Sequence, residues 1–377
     1  MDRTGAVTAA VAAFARTYLD GSPTDRPPSS VEVRGAQATS LETPQVDDGP
    51  SPDAVCVALS GGPDSLALLT GAIRAGLTVH AIVVDHGLQS GSADIARRAT
   101  DQAIALGATA EVVTVTVDGP GGMEAAARTA RYAALDRART GRPVLLGHTL
   151  DDQAETVLLG LARGSGARSL AGMREWNSPW GRPLLGIRRA DTRGACAELG
   201  LPTFDDPHNA DPRFTRVRLR NEALPLLDDI LHGGVPAALA RTALSLRDDN
   251  DALDTLAADI YAGLVREPDP LLDPRGRSDE GARVTRGPAT QGSQPSPTPP
   301  LVALVLATHP PAIRRRIIRR WLLEGGATEP THPVIVAVDA LVADWHGQGG
   351  VAVGGSPDHR LDVVRTCGLL TVHRTPR

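Results

Sequence analysis

The sequence contains no lysine; all 39 of its basic residues are arginine. That absence excludes a Walker P-loop, whose lysine contacts the phosphates. It also excludes Schiff-base chemistry and any enzyme that carries a nucleotide on its own lysine. Cysteine is nearly absent as well. Cys56, Cys196 and Cys367 lie far apart and supply neither a disulfide framework nor a CxxC metal or redox pair. No stretch approaches the ~18 uninterrupted apolar residues of a membrane span, so no membrane partner is expected. The opening Met1-Asp2-Arg3 leads into no basic region followed by an apolar core. No signal peptide is therefore expected, and the cytoplasm is the expected compartment. A net charge of -5 advertises no nucleic-acid partner globally, so any such site must be a local patch.

What is present is an ordinary globular composition, 41% hydrophobic and 22% charged, in a chain of 377 residues, long enough for two or three domains. Residues 6–19 read as a short amphipathic helix. Residues 21–53 are rich in Pro, Ser, Thr and Asp and read as a loose connection, so 1–53 is assigned as an N-terminal helix and linker. Four β-rich runs follow, at 55–60, 78–85, 110–117 and 143–147, separated by Ala/Arg/Leu-rich stretches with helical spacing at 64–76, 91–106 and 123–140. That alternation predicts an α/β fold, a parallel Rossmann-like sheet with helices on both faces, over 54–232. A helix is predicted over 238–264. Residues 267–300 carry many Pro, Gly, Ser, Asp and Arg and are expected to be a disordered insertion. Helices near 313–321 and 334–345 and short strands at 350–353 and 361–373 complete a smaller helical and α+β domain over 233–377.

The strongest motif is Ser60-Gly61-Gly62-Pro63-Asp64-Ser65, between a predicted strand and a predicted helix. Two glycines let backbone amides approach an anion, the hydroxyls add donors, and a helix N-terminus adds positive potential. Asp64 beside phosphates calls for a bridging magnesium ion. The alternative is a plain turn with Asp64 or Ser65 as a helix cap. Asp85 and His86 end the second strand at the sheet's carboxyl edge, where a nucleotide should lie. Glu124 and Arg128 share a helix face at i, i+4. A second cluster, His148, Asp151, Asp152 and Glu155, follows the fourth strand. Four ionisable groups in eight residues exceed what helix capping requires. Magnesium binding by Asp151 or Asp152, and removal of a proton from a nucleophile, are the expected roles.

SGGPDS, Val84-Asp85-His86-Gly87-Leu88, Glu124-Ala125-Ala126-Ala127-Arg128, Gly147-His148-Thr149-Leu150-Asp151-Asp152-Gln153-Ala154-Glu155-Thr156, Asp205-Asp206-Pro207-His208-Asn209 and Arg216-Val217-Arg218-Leu219-Arg220-Asn221 together resemble the tRNA(Ile)-lysidine synthetase family of PP-loop ATP pyrophosphatases. The resemblance spans roughly 54–225, with a looser one to the family's small substrate-binding domain from about 300. It implies ATP-dependent attachment of free L-lysine to carbon 2 of the wobble cytidine in tRNA(Ile) with a CAU anticodon. The tRNA is first adenylated, then lysine displaces AMP. ATP and Mg2+ are the implied cofactors. A homodimer is left open. The implied phosphate and nucleotide contacts are Ser60, Gly61, Gly62, Pro63, Asp64, Ser65, Asp85 and His86. The implied catalytic residues are Asp64, Arg128, His148, Asp151, Asp152 and Glu155, with Asp64, Asp151 and Asp152 on the metal.

Two rival readings share parts of this pattern. The PP-loop tRNA thiolases need cysteines to carry sulfur or a cluster, and the isolated cysteines here argue against them. A non-enzymatic nucleotide sensor would not call for so many carboxylates. Candidate tRNA contacts are Arg163, Arg168, Arg216, Arg218 and Arg220, and the helix Ile313–Trp321. There Ile313, Ile317 and Ile318 should face inward, and Arg315, Arg316 and Arg319 outward, with no acid in the run to pair them.

Overall fold

The computed structural model describes residues 2–20, 53–87, 91–117, 122–164, 166–206, 211–266, 294–295, 298–356 and 358–376. Its first helix, α1 (Arg3–Tyr18), begins where the Asp2 carboxylate accepts from the Gly5 amide at 2.7 Å. Val7, Val11 and Phe14, at i, i+4 and i+7, form its buried face. They pack against the helix after the first strand, where Gly71 leaves no side chain in the way. A Cβ there would lie 2.9 Å from Val7 Cγ1.

Strand β1 (Ala54–Leu59) lies at the centre of a six-stranded sheet. It pairs in parallel with β2 (Thr78–Asp85) on one side, and β2 with β3 (Thr109–Thr114). On its other side it pairs in parallel with β4 (Val144–Leu145), and β4 with β6 (Trp180–Gly181). Only β5 (Trp176–Asn177), on the edge, runs antiparallel. The period-2 alternation of β1 divides its burial between two cores. Val55, Val57 and Leu59 join α1, α2 (Pro63–Arg74) and α3 (Ser92–Ala105). Cys56 joins Ile82, Leu135, Val144 and Leu146 under α4 (Met123–Ala138). Helices on both faces are what near-continuous apolar strands require. Cys56 is thus a core residue, and among the described residues all three cysteines are unpaired.

The strand order β3-β2-β1-β4 reverses direction between β1 and β4. Their carboxyl ends therefore open onto one crevice, the usual ligand position in such sheets. Helix α5 (Leu150–Ala162) leaves from β4, followed by the short α6 (Ala167–Leu170). Beyond β6, α7 (Arg189–Glu198) returns under α1 and α2, and its Glu198 accepts from the amides of Arg3 and Thr4. Then come α8 (Thr215–Arg218), a π-helical turn (Leu219–Ala223), α9 (Leu224–Ile230) and the 32-residue α10 (Val235–Arg266). The predicted boundary at 232/233 falls just before α10, whereas the chain divides into compact units within that helix, at 1–244 and 245–377. Of the linker expected at 21–53, residues 21–52 lie outside the described residues.

The second unit packs an antiparallel sheet against helices. The strand expected at 361–373 is in fact a hairpin, β10 (His359–Thr366) and β11 (Leu369–Pro376), turning at Cys367 and Gly368, both with positive φ. A β-rich run reads the same whether or not it contains a turn, and Gly368 was the available signal. Strand β9 (Val351–Ser356) pairs with β10. Of the insertion expected at 267–300, residues 267–293 and 296–297 lie outside the described residues. Its end is ordered: β7 (Gln294–Pro295) pairs with β11, and the Pro299 carbonyl accepts from Trp321 Nε1 at 2.8 Å. Next come β8 (Leu301–Val302), also on β11, α11 (Ala303–Ala307), α12 (Pro311–Glu324) and α13 (His332–Ala343).

In α12 the inward stripe Ile313, Ile317, Ile318 and Trp321 is buried as its spacing predicts. The arginines are not the outward, unpaired face expected of them. Arg314 is buried and bonded to Asp339 of α13, which also takes Arg315 at 2.8 Å. Arg316 reaches Asp254 at 2.8 Å and Asn250 at 2.6 Å on α10, and Arg320 pairs with Glu324. Asp339 and Asp254 stand on other helices, where no local reading of the run could place them. Side-chain exposure of 8% for Arg314 and 4% for Asp339 makes this pair a structural one. Asp339→Ala, which strands two guanidiniums, one of them buried, should cost about 3–5 kcal/mol in urea unfolding of the intact chain. A loss below about 1 kcal/mol would mean the pair is solvated.

Candidate active site

The crevice at the carboxyl ends of β1, β2 and β4 is a cleft of about 580 Å³, a size typical of ligand sites. Its floor is the loop Ser60–Gly62. Gly61 adopts φ +78°, open to glycine at no steric cost. The Ser65 hydroxyl donates to the Gly62 carbonyl at 3.0 Å and receives the Ser60 amide at 3.2 Å, while the two serine hydroxyls meet at 3.1 Å. Pro63 occupies the first turn of α2, and no side chain caps the helix. The N-terminal dipole of α2 therefore faces the cleft, as an anion site requires.

The acidic turn after β4 comes directly against this loop. A Cβ on Gly147 would lie 3.0 Å from the Asp64 carbonyl oxygen and 3.1 Å from the Ser65 nitrogen. Two motifs 80 residues apart thus share one wall because position 147 has no side chain. Thr149 then caps α5 in a capping box: its amide and hydroxyl donate to Asp152 Oδ2 at 2.8 and 2.7 Å.

The carboxylates are organised by an arginine that the sequence motifs did not single out. Arg189, the first residue of α7, bonds Asp152 and reaches Asp64 Oδ2 and Glu155 Oε1 at 3.4 Å each. Its amide donates to Asp151 Oδ2 at 2.7 Å, and Arg188 grips the same carboxylate through Nε and Nη2. Burial alone would weaken the basicity of Arg189, but Asp152, Glu155, Asp64 and Asp151 together outweigh it and raise its pKa. Burial raises the pKa of Asp64, against the pull of the Thr192 hydroxyl and Arg189. For Asp152 burial acts upward too, but Arg189, the two Thr149 donors and His148 prevail and hold it below the usual carboxylate range. Burial drives His148 down to about 3, so it is neutral at physiological pH.

Among the described residues, three buried polar atoms on the cleft have no hydrogen-bond partner: His86 Nδ1, His148 Nδ1 and Arg131 Nε. Buried polar groups are rarely left so, and a polar, anionic ligand answers all three. Asp85 lines the cleft beside His86 and accepts from the Gly87 amide at 3.0 Å.

The structure separates the expected residues into groups. Ser60, Gly62, Pro63, Asp64, Ser65, Asp85, His86, His148 and Asp152 line the cleft. Gly61 shapes its floor. Glu155 has no exposed side-chain surface and sits behind it, bonded to Arg220 at 2.8 Å. Asp151 is occupied with α7. Arg128 stands apart: it donates to the Tyr132 hydroxyl at 3.3 Å and lines a separate shallow cleft with Pro179 and Trp180. One turn on, Arg131 is the arginine of α4 that enters the ligand cleft. The i, i+4 relation of Arg128 to Glu124 drew attention to the wrong turn. Arg216 and Arg220, read as RNA contacts, pair with Glu155, and Arg218 pairs with Glu222. Asp205 and Asp206 line the cleft, while Pro207, His208 and Asn209 lie outside the described residues. Among the described residues no three acidic, histidine or cysteine groups gather as a ready metal cage, and no helix is long and apolar enough to cross a membrane.

The chain matches the family model of a PP-loop domain over residues 36–227 and that of a TilS substrate binding domain over 303–368. It is 54% identical to the tRNA(Ile)-lysidine synthase of Nocardia farcinica over 326 residues, 86% of this chain and 93% of that one. The enzyme so named in Mycolicibacterium paratuberculosis is 55% identical over 323 residues, 85% and 91% of the two chains. That of Mycobacterium tuberculosis strain H37Rv is 54% identical over 322 residues, again 85% and 91%. A phosphate loop, a switch-point cleft and a second unit in the matching order accompany this likeness over most of both chains, and the protein belongs to the tRNA(Ile)-lysidine synthase family.

Proposed function

We infer that this chain is an ATP-dependent C–N ligase that joins L-lysine to carbon 2 of the wobble cytidine of tRNA(Ile). The observation that carries the reading is the meeting of the phosphate loop with the acidic turn in one cleft, in a chain similar to lysidine synthases over most of its length. The cytidine O2 attacks the α-phosphorus of ATP and pyrophosphate leaves. The lysine amine then attacks carbon 2, loses a proton, and AMP departs with the former O2.

Each step makes a demand that this cleft meets. The amides at the start of α2 and the hydroxyls of Ser60 and Ser65 supply donors for phosphate charge. Arg131, with its free Nε, adds a guanidinium. His86 and Asp85, at the end of β2, lie where the nucleoside half of ATP belongs. Mg2+ binds through one or two carboxylates plus phosphate oxygens, and does not need an all-protein cage. Asp64 and Asp152, joined by one guanidinium at the phosphate end, fit that donor set. Mg2+ held there would supply positive charge against that developing on the phosphates. His148 is neutral, so its free Nδ1 can hydrogen-bond the lysine amine without adding charge to the cleft, and the proton released passes to water. Asp151 and Glu155 act through the arginines that they hold. The reaction belongs in the cytoplasm, where ATP, lysine and tRNA meet.

The direct test is incubation with labelled lysine, ATP and unmodified tRNA(Ile) with a CAU anticodon. ATP-dependent label in the RNA is expected; AMP release independent of tRNA and lysine would favour a nucleotide sensor instead. Asp64→Ala and Ser65→Ala should each abolish incorporation while gel-shift affinity for tRNA stays within about twofold. Gly147→Ala should raise the KM for ATP at least about tenfold with little change in melting temperature, because its new methyl presses on the phosphate loop. Arg131→Ala should weaken ATP binding by about 1.5–3 kcal/mol, the worth of a hydrogen bond to a charged group. Arg128→Ala should leave ATP binding nearly unchanged, and equal losses in isothermal titration would contradict the placement of the two.

A further inference from the structure

Asp64 and Asp152 come from different motifs, and the positive charge that joins them belongs to the protein itself. Arg189 offers one nitrogen to each of three carboxylates: Nε to Asp64, Nη2 to Asp152 and Nη1 to Glu155. Its side chain is 14% exposed, and its backbone is fixed by Asp151. The three acids depend on it unequally. Glu155 keeps Arg220 at 2.8 Å and Arg216 at 3.8 Å without it. Asp152 keeps the Thr149 donors and a distant Arg220 at 3.5 Å. Among the described residues Asp64 keeps only the Thr192 hydroxyl.

If Arg189 left the two outer carboxylates, they would face each other with little compensation, and a cation would be required in its place. Going deeper, toward Glu155, costs the arginine little, since that carboxylate is already within its reach. Of the three acids, Asp64 and Asp152 line the cleft and Glu155 lies behind it.

We propose that Arg189 is a positioning residue that competes with a divalent cation for the seat between Asp64 and Asp152, and that it withdraws onto Glu155 when the cation arrives with nucleotide. This rests on the assignment of Asp64 and Asp152 to the metal made above. The exchange has two consequences. A guanidinium keeps the carboxylates of two motifs at the spacing the metal will use, so the site is pre-organised. It also competes with free metal, so that a cation without nucleotide phosphates binds weakly.

The competition can be read without catalysis, by titrating the full chain with Mn2+ alone and following free Mn2+ by electron paramagnetic resonance. Arg189→Met should bind Mn2+ at least tenfold tighter than the wild type. Its melting temperature should fall in metal-free buffer and recover on adding Mg2+, whereas Mg2+ alone should barely move the wild type. Arg220→Met is the control for bulk charge: it also removes a guanidinium from Asp152 and Glu155 but leaves Asp64 untouched, and it should tighten Mn2+ by less than threefold. Equal tightening in both variants, or none in Arg189→Met, overturns the proposal. Should Arg189→Met not fold, Arg189→Lys keeps the charge but cannot span all three acids, and it should still bind Mn2+ more tightly than the wild type; unchanged affinity there overturns the proposal as well. Lysine incorporation by the wild type is measured in parallel. Incorporation without the Mn2+ effect leaves the ligase reading standing and removes only the role of Arg189, and the Mn2+ effect without incorporation does the reverse.

Discussion

The site depends on the approach of the turn after β4 to the first turn of α2. At Gly147 the two backbones come so close that a single methyl would sit 3.0 Å from the Asp64 carbonyl. Everything chemical in the cleft follows from that contact. It sets Asp152 beside Asp64, brings His148 to the cleft, and aims α5 so that Glu155 lies buried behind both. The sheet supplies the platform: β1 and β4 are neighbours with parallel carboxyl ends, and the reversal of strand order between them opens the crevice.

Charge balance in this cleft is carried by guanidinium alone. A lysine could neutralise one carboxylate, but the planar fork of arginine can serve several acids at once. Arg189 joins Asp64, Asp152 and Glu155, Arg220 overlaps it on two of them, and Arg188 ties Asp151. Buried acids and bases of this number would be costly singly and are tolerable as a bonded network. The same economy appears in the second unit, where Asp339 takes both Arg314 and Arg315. An arginine-rich surface in this chain is therefore a poor guide to RNA contact, because so many of the arginines are answered by acids on other helices.

The phosphate loop, the alternation of strands and helices, and the acidic turn could all be read from the chain, because each is a local pattern. SGGPDS needs its glycines and helix start within six residues. Four strands of the first sheet show themselves as short, near-continuous apolar runs, whereas the two-residue β5 and β6 gave no such signal. The hairpin at 359–376 was less legible, since one glycine distinguishes a long strand from two. Arg189 gave no local signal at all. It lies 125 residues from Asp64 and 37 from Asp152, in a sequence with arginines throughout.

The sequence by itself determined the class of fold and the family to which the chain belongs, and it marked the glycine loop before α2, since each rests on residue types at fixed short spacing. Only the tertiary structure decided which charges meet. It turned Arg131 rather than Arg128 into the cleft, withdrew Asp151 to hold α7, gave Glu155 to Arg189 and Arg220, and folded the arginines of α12 against Asp339 and Asp254. The physical reason is that a Coulombic or hydrogen-bonded partner acts over a few ångströms of space. Separation along the chain sets no limit on it once the strands and helices have packed.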